Sequence, residues 1–383
     1  MRYINAFIYR GREEGFSHGG FETKDGLFSS LFFYPENEKE APGGGDDCMD
    51  LEGAYVIPGL IDVHIHGSMG ADFSDAGKED LIKMGEYLLL HGITSFAPAS
   101  MTFPLEKLAR AYRLAAEIHD KDPENCSRLA GIYMEGPFLS NKRRGAQNPK
   151  YLKAPDISLF KELYDISGGL IRIATIAPEL RGALEYIKYV SDICTVSVAH
   201  TDASYEQGRA AFDAGARQLT HLYNAMSPLH HRNPGVIGAG AERDDIRAEL
   251  ICDGIHVHPS MVRLSFKLFP GRVCLISDAS ECTGMPDGVY ELGGQAVYLK
   301  GRRVTLEDGT IAASASDLYD CMLKAISFGI PVKEAVYSAT LVPAKAVGCD
   351  DKAGSIEEGK WADFVICDKE LNRIQVFKEG KRY

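Results

Sequence analysis

From residue 58 onward the chain repeats one texture: a short apolar run, then a stretch whose apolar positions recur at helical spacing. The runs are LIDVHIH (60–66), ITSFAPA (93–99), LAGIYMEG (129–136), LIRIATIAPE (170–179), CTVSVAH (194–200), ARQLTHLYN (216–224), RAELICDGIHV (247–257) and RVCLISDA (272–279). Between them lie amphipathic stretches such as KEDLIKMGEYLLLHG and LEKLARAYRLAAEIHD. Eight strands alternating with helices predict an α/β fold, a (β/α)8 TIM-type barrel. Parallel strands need crossovers, and strands covered on both faces read as nearly continuous apolar runs.

The flanks read differently. YINAFIY, LFSSLFFY and GAYVIP alternate with period two and are broken by turns such as APGGGDD, which predicts strands over residues 1–57. The tail GSIEEGKWADFVICDKELNRIQVFKEGKRY returns to that texture. The expectation is a small β-sandwich domain formed from residues 1–57 and 350–383, with the barrel at 58–349. Within the barrel region, Gly-Gly and Lys-Gly turns predict an inserted β-hairpin near 288–310, followed by helices over SDLYDCMLKAISFG and VKEAVYSATLVPAKAVG.

Composition narrows the function classes. A chain of 383 residues, 45% hydrophobic and 25% charged, has material for a large core. The net charge of -12 argues against nucleic acid or an anionic membrane as partner. No apolar run reaches the ~18 residues of a membrane span, and MRYINAFIYRGREEG lacks a signal-peptide core, so a cytoplasmic enzyme is expected. The nine cysteines are scattered without a C-x-x-C pair and read as reduced, mostly buried thiols.

Chemistry concentrates where a barrel carries it, at the C-terminal ends of the strands. Strand 1 ends in His64 and His66, which period two puts on one face. Strand 3 ends in Glu135, strand 5 in His200, strand 6 in His221, strand 7 in His256 and strand 8 in Asp278. Each alone has an ordinary structural explanation. Six of eight strands ending in an imidazole or carboxylate is a different matter. Such groups suit a divalent metal such as zinc or iron, which lowers the pKa of bound water toward ~7. An aspartate left over from coordination can move the proton.

PGLIDVHIHG resembles the first-strand signature of the amidohydrolase superfamily, and GSIEEGKWADFVICD its closing segment. MEGPFL, RGAQNP, AHTDA, THLYNAMSPLHHRNPG, DGIHV, LISDA and GTIAAS together resemble the N-acetylglucosamine-6-phosphate deacetylase family, in family order over nearly the whole chain. That resemblance implies hydrolysis of the acetamide of an amino-sugar phosphate. It implies Glu135, His200 and His221 as principal metal ligands, His64 and His66 as the pair for a second metal, and Asp278 as acid/base. It implies Asn224, Ala225, Arg232 and His256 at substrate-binding positions, the first three around the phosphate, and a homodimer in which a neighbouring subunit can offer Arg232 and His256. Ala146 and Gln147 match a substrate-contact pair, and Ile311, Ala312 and Ala313 a loop that contacts the sugar.

Two departures matter. Many family members carry His where this chain has Gln147, which offers only a neutral donor to a developing oxyanion. With His64 and His66 intact, a second metal is the expected compensation. Strand 4, LIRIATIAPE, contains no lysine to bridge two metals, which leaves Glu135 as the bridge; Glu179 reads as a helix N-terminal carboxylate. The alternatives are a deacetylase of another acetamido sugar phosphate, such as the galactosamine epimer, and a non-catalytic scaffold. The full ligand set argues against the scaffold, because buried polar groups are costly without a purpose.

Overall fold

The computed structural model describes residues 1–35 and 47–383. Residues 41–46 of the expected APGGGDD turn lie outside the described residues. All eight apolar runs form strands of one parallel barrel, numbered here 1 to 8: Leu60–Ile65, Ile93–Ser100, Ile132–Met134, Ile171–Ile176, Thr195–Val198, Gln218–Leu219, Arg247–Ile251 and Val273–Ile276. Successive strands pair with one another. Strand 8 returns to strand 1 through the Asp278 N–H, which donates to the His64 carbonyl at 3.0 Å, and the His66 N–H, which donates to the Ala279 carbonyl at 2.8 Å.

Strand alternation decides what faces the centre. Ile61 and Val63 pack outward with Val342 and Ala346 of the helix Leu341–Val347. Asp62, His64 and His66 turn to the other face and are buried. Beneath the site the Tyr133 ring stacks on His64 with centroids 4.2 Å apart. Its hydroxyl reaches Thr220 Oγ1 at 2.8 Å, which meets Ser197 Oγ at 2.6 Å. The floor is therefore polar and hydrogen-bonded, which fixes it laterally as well as by packing.

Helices Lys78–Leu90 and Leu105–Lys121 lie where the periodicity predicts them, with Leu81, Met84, Leu88, Leu108, Tyr112 and Ala115 buried. The expected helix over 332–348 is two helices, Val332–Ala339 and Leu341–Val347, broken at Thr340. Pro343 explains the break, since its ring has no N–H to give and crowds the preceding turn.

The flanking strands form one eight-stranded sheet in which Tyr55–Pro58 pairs with Arg2–Tyr9 on one side and Phe364–Cys367 on the other. The sheet closes over itself where Leu27 bridges Trp361, enclosing Tyr3, Phe21, Phe364 and Phe377. Arg128 fastens it to the barrel: Nη1 lies 2.8 Å from Asp363 and the guanidinium lies 3.7 Å over Trp361. Lys378 Nζ, also buried, donates to Asp122 at 2.7 Å and to the Cys126 carbonyl at 3.0 Å.

The insertion is larger than a hairpin. It is a four-stranded antiparallel sheet, Gly288–Leu292, Gln295–Lys300, Arg303–Thr305 and Ile311–Ser314. Gly293 and Gly294, with φ of 62° and 80°, make the two-residue turn that only such residues allow cheaply. Just past that turn, Gln295 Nε2 donates to the Ala146 carbonyl at 2.7 Å, which ties the insertion to the loop after strand 3.

Candidate active site

Four imidazoles converge on one carboxylate. Glu135 Oε1 lies 3.2 Å from both His200 Nε2 and His221 Nε2 and 3.5 Å from His64 Nε2, while Oε2 lies 3.4 Å from His66 Nε2. Asp278 Oδ1 closes the group at 3.3 Å from His66 Nε2 and 3.7 Å from His64 Nε2. All six residues are buried. Three of the turns that aim them are strained: His200, His221 and Asp278 have left-handed φ of 41°, 28° and 49°. Such a backbone costs about 1 to 3 kcal/mol per non-glycine residue and survives where the surroundings over-determine it.

Each imidazole is oriented through its other nitrogen. His66 Nδ1 rests on the Ala99 carbonyl at 3.1 Å, His200 Nδ1 on the Arg143 carbonyl at 2.9 Å, and His221 Nδ1 on the Asn224 carbonyl at 3.1 Å. His64 Nδ1 meets Glu249 Oε2 at 2.9 Å. An Nδ1 that faces an acceptor carries the hydrogen, so in the neutral ring Nε2 presents a lone pair.

Lone pairs aimed at a carboxylate repel unless a cation intervenes. His200 Nε2 and His221 Nε2 are themselves only 3.2 Å apart, and buried His64 Nε2 has no hydrogen-bond partner at all. With protons as the cations, burial opposes the charge of His66, but Asp278 and Glu135 push its pKa up to about 9. Burial likewise opposes ionisation of Glu135, yet contacts with His200 and His221 hold it well below the usual carboxylate range. Asp278 is lowered against its burial by His66 and the neighbouring imidazoles. The donor set fits a divalent metal: Glu135, His200 and His221 form one group, His64, His66 and Glu135 a second, each with its ligand atoms within 4.8 Å of one another.

The cavity above these groups has an empty volume of about 680 Å³, counting its open mouth. His66, Glu135, His200, His221, Asp278, Ala146, Gln147, Asn224, Ala225, His256, Ile311 and Ala312 all line it. His64 lies beneath, Ala313 is buried behind its neighbours, and Arg232 lies apart on an exposed loop, with Nη1 2.8 Å from His231 Nε2. His256 lines the cavity of its own chain, so a neighbour is not needed to supply it. Gly145 lets the loop after strand 3 cross close to His200; a Cβ there would meet His200 Cε1 at 3.3 Å, at a φ of +55°.

Sequence reasoning missed the residues that orient the others. Glu249, fully buried in strand 7, holds His64 and also accepts from the His221 N–H at 3.2 Å. Asp253 Oδ2 meets His256 Nδ1 at 2.7 Å. The available signal is a charged residue inside an apolar strand run, since a buried charge requires partners. Glu179 is no helix cap: it accepts from Thr201 Oγ1 at 2.5 Å and from the Asp202 N–H at 2.7 Å, pinning the loop after His200. Asp202 in turn meets Arg143 at 2.7 Å and Ser227 Oγ at 3.0 Å, joining the loops after strands 3, 5 and 6.

The chain belongs to the amidohydrolase family, whose model matches residues 55–383. Within that class it is 39% identical over 333 residues to the N-acetylglucosamine-6-phosphate deacetylase of Bacillus subtilis, covering 85% of this chain and 84% of the relative. It is 34% identical over 334 residues to the N-acetylgalactosamine-6-phosphate deacetylase of Escherichia coli O157:H7, covering 87% and 88%. Among solved structures, a mutant N-acetyl-D-glucosamine-6-phosphate deacetylase from Mycobacterium smegmatis in complex with N-acetyl-D-glucosamine-6-phosphate superposes with a TM-score of 0.91 at 32% identity, covering 100% of this chain and 98% of that one.

Proposed function

We propose that this chain hydrolyses the acetamide of N-acetyl-D-glucosamine 6-phosphate to D-glucosamine 6-phosphate and acetate. The observation that carries the reading is the convergence of four Nε2 atoms on Glu135, with Asp278 against His66 and His64, at the base of an open cavity. A zinc or iron ion held by Glu135, His200 and His221, with a second at His64 and His66, would supply Lewis acidity toward water and the acetyl carbonyl.

The chain's own groups do the rest. Asp278, held ionised by the imidazoles around it, takes the proton of the attacking water and passes it to the leaving nitrogen. That transfer matters because an amide nitrogen leaves poorly as an anion. Asp253 holds His256 so that the imidazole faces the sugar, while Asn224, Ala225, Ile311 and Ala312 border it. The insertion, tied to Ala146 through Gln295, narrows the mouth against water.

Arg232 reads the phosphate, and its position away from this chain's cavity supports delivery to the cavity of a second copy in a homodimer. Among the described residues no helix is long and apolar enough to cross a membrane, in keeping with a cytoplasmic sugar-phosphate enzyme. The Escherichia coli relative keeps the galactosamine epimer as the second reading. Acetate release across both epimers, with and without the 6-phosphate, tests the proposal. Preference for the galactosamine epimer would change the substrate, and indifference to phosphate would reject both readings.

A further inference from the structure

The resemblance places Gln147 against the substrate, but both ends of its amide are already engaged. The Thr102 N–H lies 2.8 Å from Gln147 Oε1. A backbone N–H can only donate, so the oxygen must face Thr102 and the NH2 must face the other way. There Nε2 lies 2.6 Å from Glu135 Oε2 and 3.6 Å from Met101 Sδ. One hydrogen goes to the carboxylate and the other to the thioether, so none remains for an acetyl oxygen. The residue is 2% exposed.

We infer that Gln147 is a positioning residue for Glu135 and not a contact to the acetyl group. Glu135 is the one residue common to both metal-holding groups, and its two oxygens have different neighbours: Oε1 faces His200, His221 and, at 3.5 Å, His64, and Oε2 faces His66. A carboxylate free to rotate about its last bond would exchange them. The charge-assisted bond from Gln147 to Oε2 stops that rotation. Gln147 is itself fixed, because its N–H donates to the Arg144 carbonyl at 3.0 Å and the adjacent Ala146 carbonyl is held by Gln295 of the insertion. A partner of this kind is worth 10- to 100-fold in metal affinity.

The inference deepens the proposed function, and its test separates the two. Gln147→Met keeps the length and stays neutral but cannot donate; Gln147→Leu is shorter, and both remove the two bonds. Zn²⁺ affinity is measured by competition with a chromogenic chelator, with no substrate present. Both variants should bind Zn²⁺ roughly 10- to 100-fold more weakly than the parent, while KM at saturating Zn²⁺ stays within about twofold. Unchanged Zn²⁺ affinity together with a raised KM would overturn the inference and restore Gln147 as a substrate contact. Weakened Zn²⁺ binding in both variants, with a parent that deacetylates none of the sugars, would leave the inference standing and the proposed function refuted. Far-ultraviolet circular dichroism identifies a misfolded Leu variant, in which case the Met variant, closer to Gln in length, decides.

Discussion

The floor and the rim of the cavity are built on opposite principles. On the floor every imidazole has its second nitrogen spoken for: His64 by Glu249, and His66, His200 and His221 by the carbonyls of Ala99, Arg143 and Asn224. At the rim, Arg232 is exposed and bonds to His230 and His231 of its own loop. The floor is set by barrel strands and their first turns, while the rim is set by loops and, in the proposed dimer, by a second chain. Chemistry that needs sub-ångström placement sits on the rigid part. Recognition, which tolerates adjustment, sits on the loops.

The largest expected effect comes from the floor. Asp278→Asn should lower kcat on the order of 10² to 10⁴ with metal content unchanged, because it removes the proton carrier alone. Turnover near that of the parent, measured alongside metal content, would refute Asp278 as the acid/base. Next comes the rim: Arg232→Ala should lower kcat/KM for the phosphorylated sugar roughly 10- to 150-fold, the equivalent of ~1.5 to 3 kcal/mol for a charge-assisted contact. Activity on the unphosphorylated sugar should barely change. If Arg232 serves a second copy, co-expressing the Asp278→Asn and Arg232→Ala chains restores activity through the one site that keeps both groups, and no restoration would put Arg232 on its own cavity.

Glu249→Gln tests the floor one layer deeper. It should weaken metal binding 10- to 100-fold without touching substrate, since Gln cannot match the carboxylate's grip on His64. Equal metal affinity in the two proteins would mean that packing against Tyr133, and not Glu249, orients that ring. The smallest effect belongs to Asp202→Ala, which unties three loops at a partly exposed ion pair with Arg143. About 1 kcal/mol or less is expected in a urea unfolding curve, shrinking further in high salt. A loss insensitive to salt would point to the Ser227 and backbone contacts instead.

The sequence made the floor legible because its rule is periodic. Apolar runs of strand length end in His64, His66, Glu135, His200, His221 and Asp278, and a barrel has one end where such residues meet. Glu249 and Asp253 escaped because RAELICDGIHV scans as one apolar run, and two acids four residues apart do not disturb that average. Gln147 was visible as a substrate-contact candidate, but its grip on Glu135 was not: its partners, Thr102 and Glu135, come from the ends of other strands, and no local pattern encodes the meeting. The extra strands of the insertion were hidden by their length, since Arg303–Thr305 and Ile311–Ser314 are too short to show alternation.

The small sheet also governs when the molecule can be finished during synthesis. Tyr55–Pro58 pairs with Phe364–Cys367, strands separated by about 300 positions in the chain. While a ribosome is still making the barrel, the strand at 55–58 has no partner on that side, and Arg128 is without Asp363. Pairings this distant in sequence form late, because the loop they close must be ordered first. Until then the nascent chain carries an open β edge beside a nearly complete barrel, the state in which strand-to-strand aggregation is most expected.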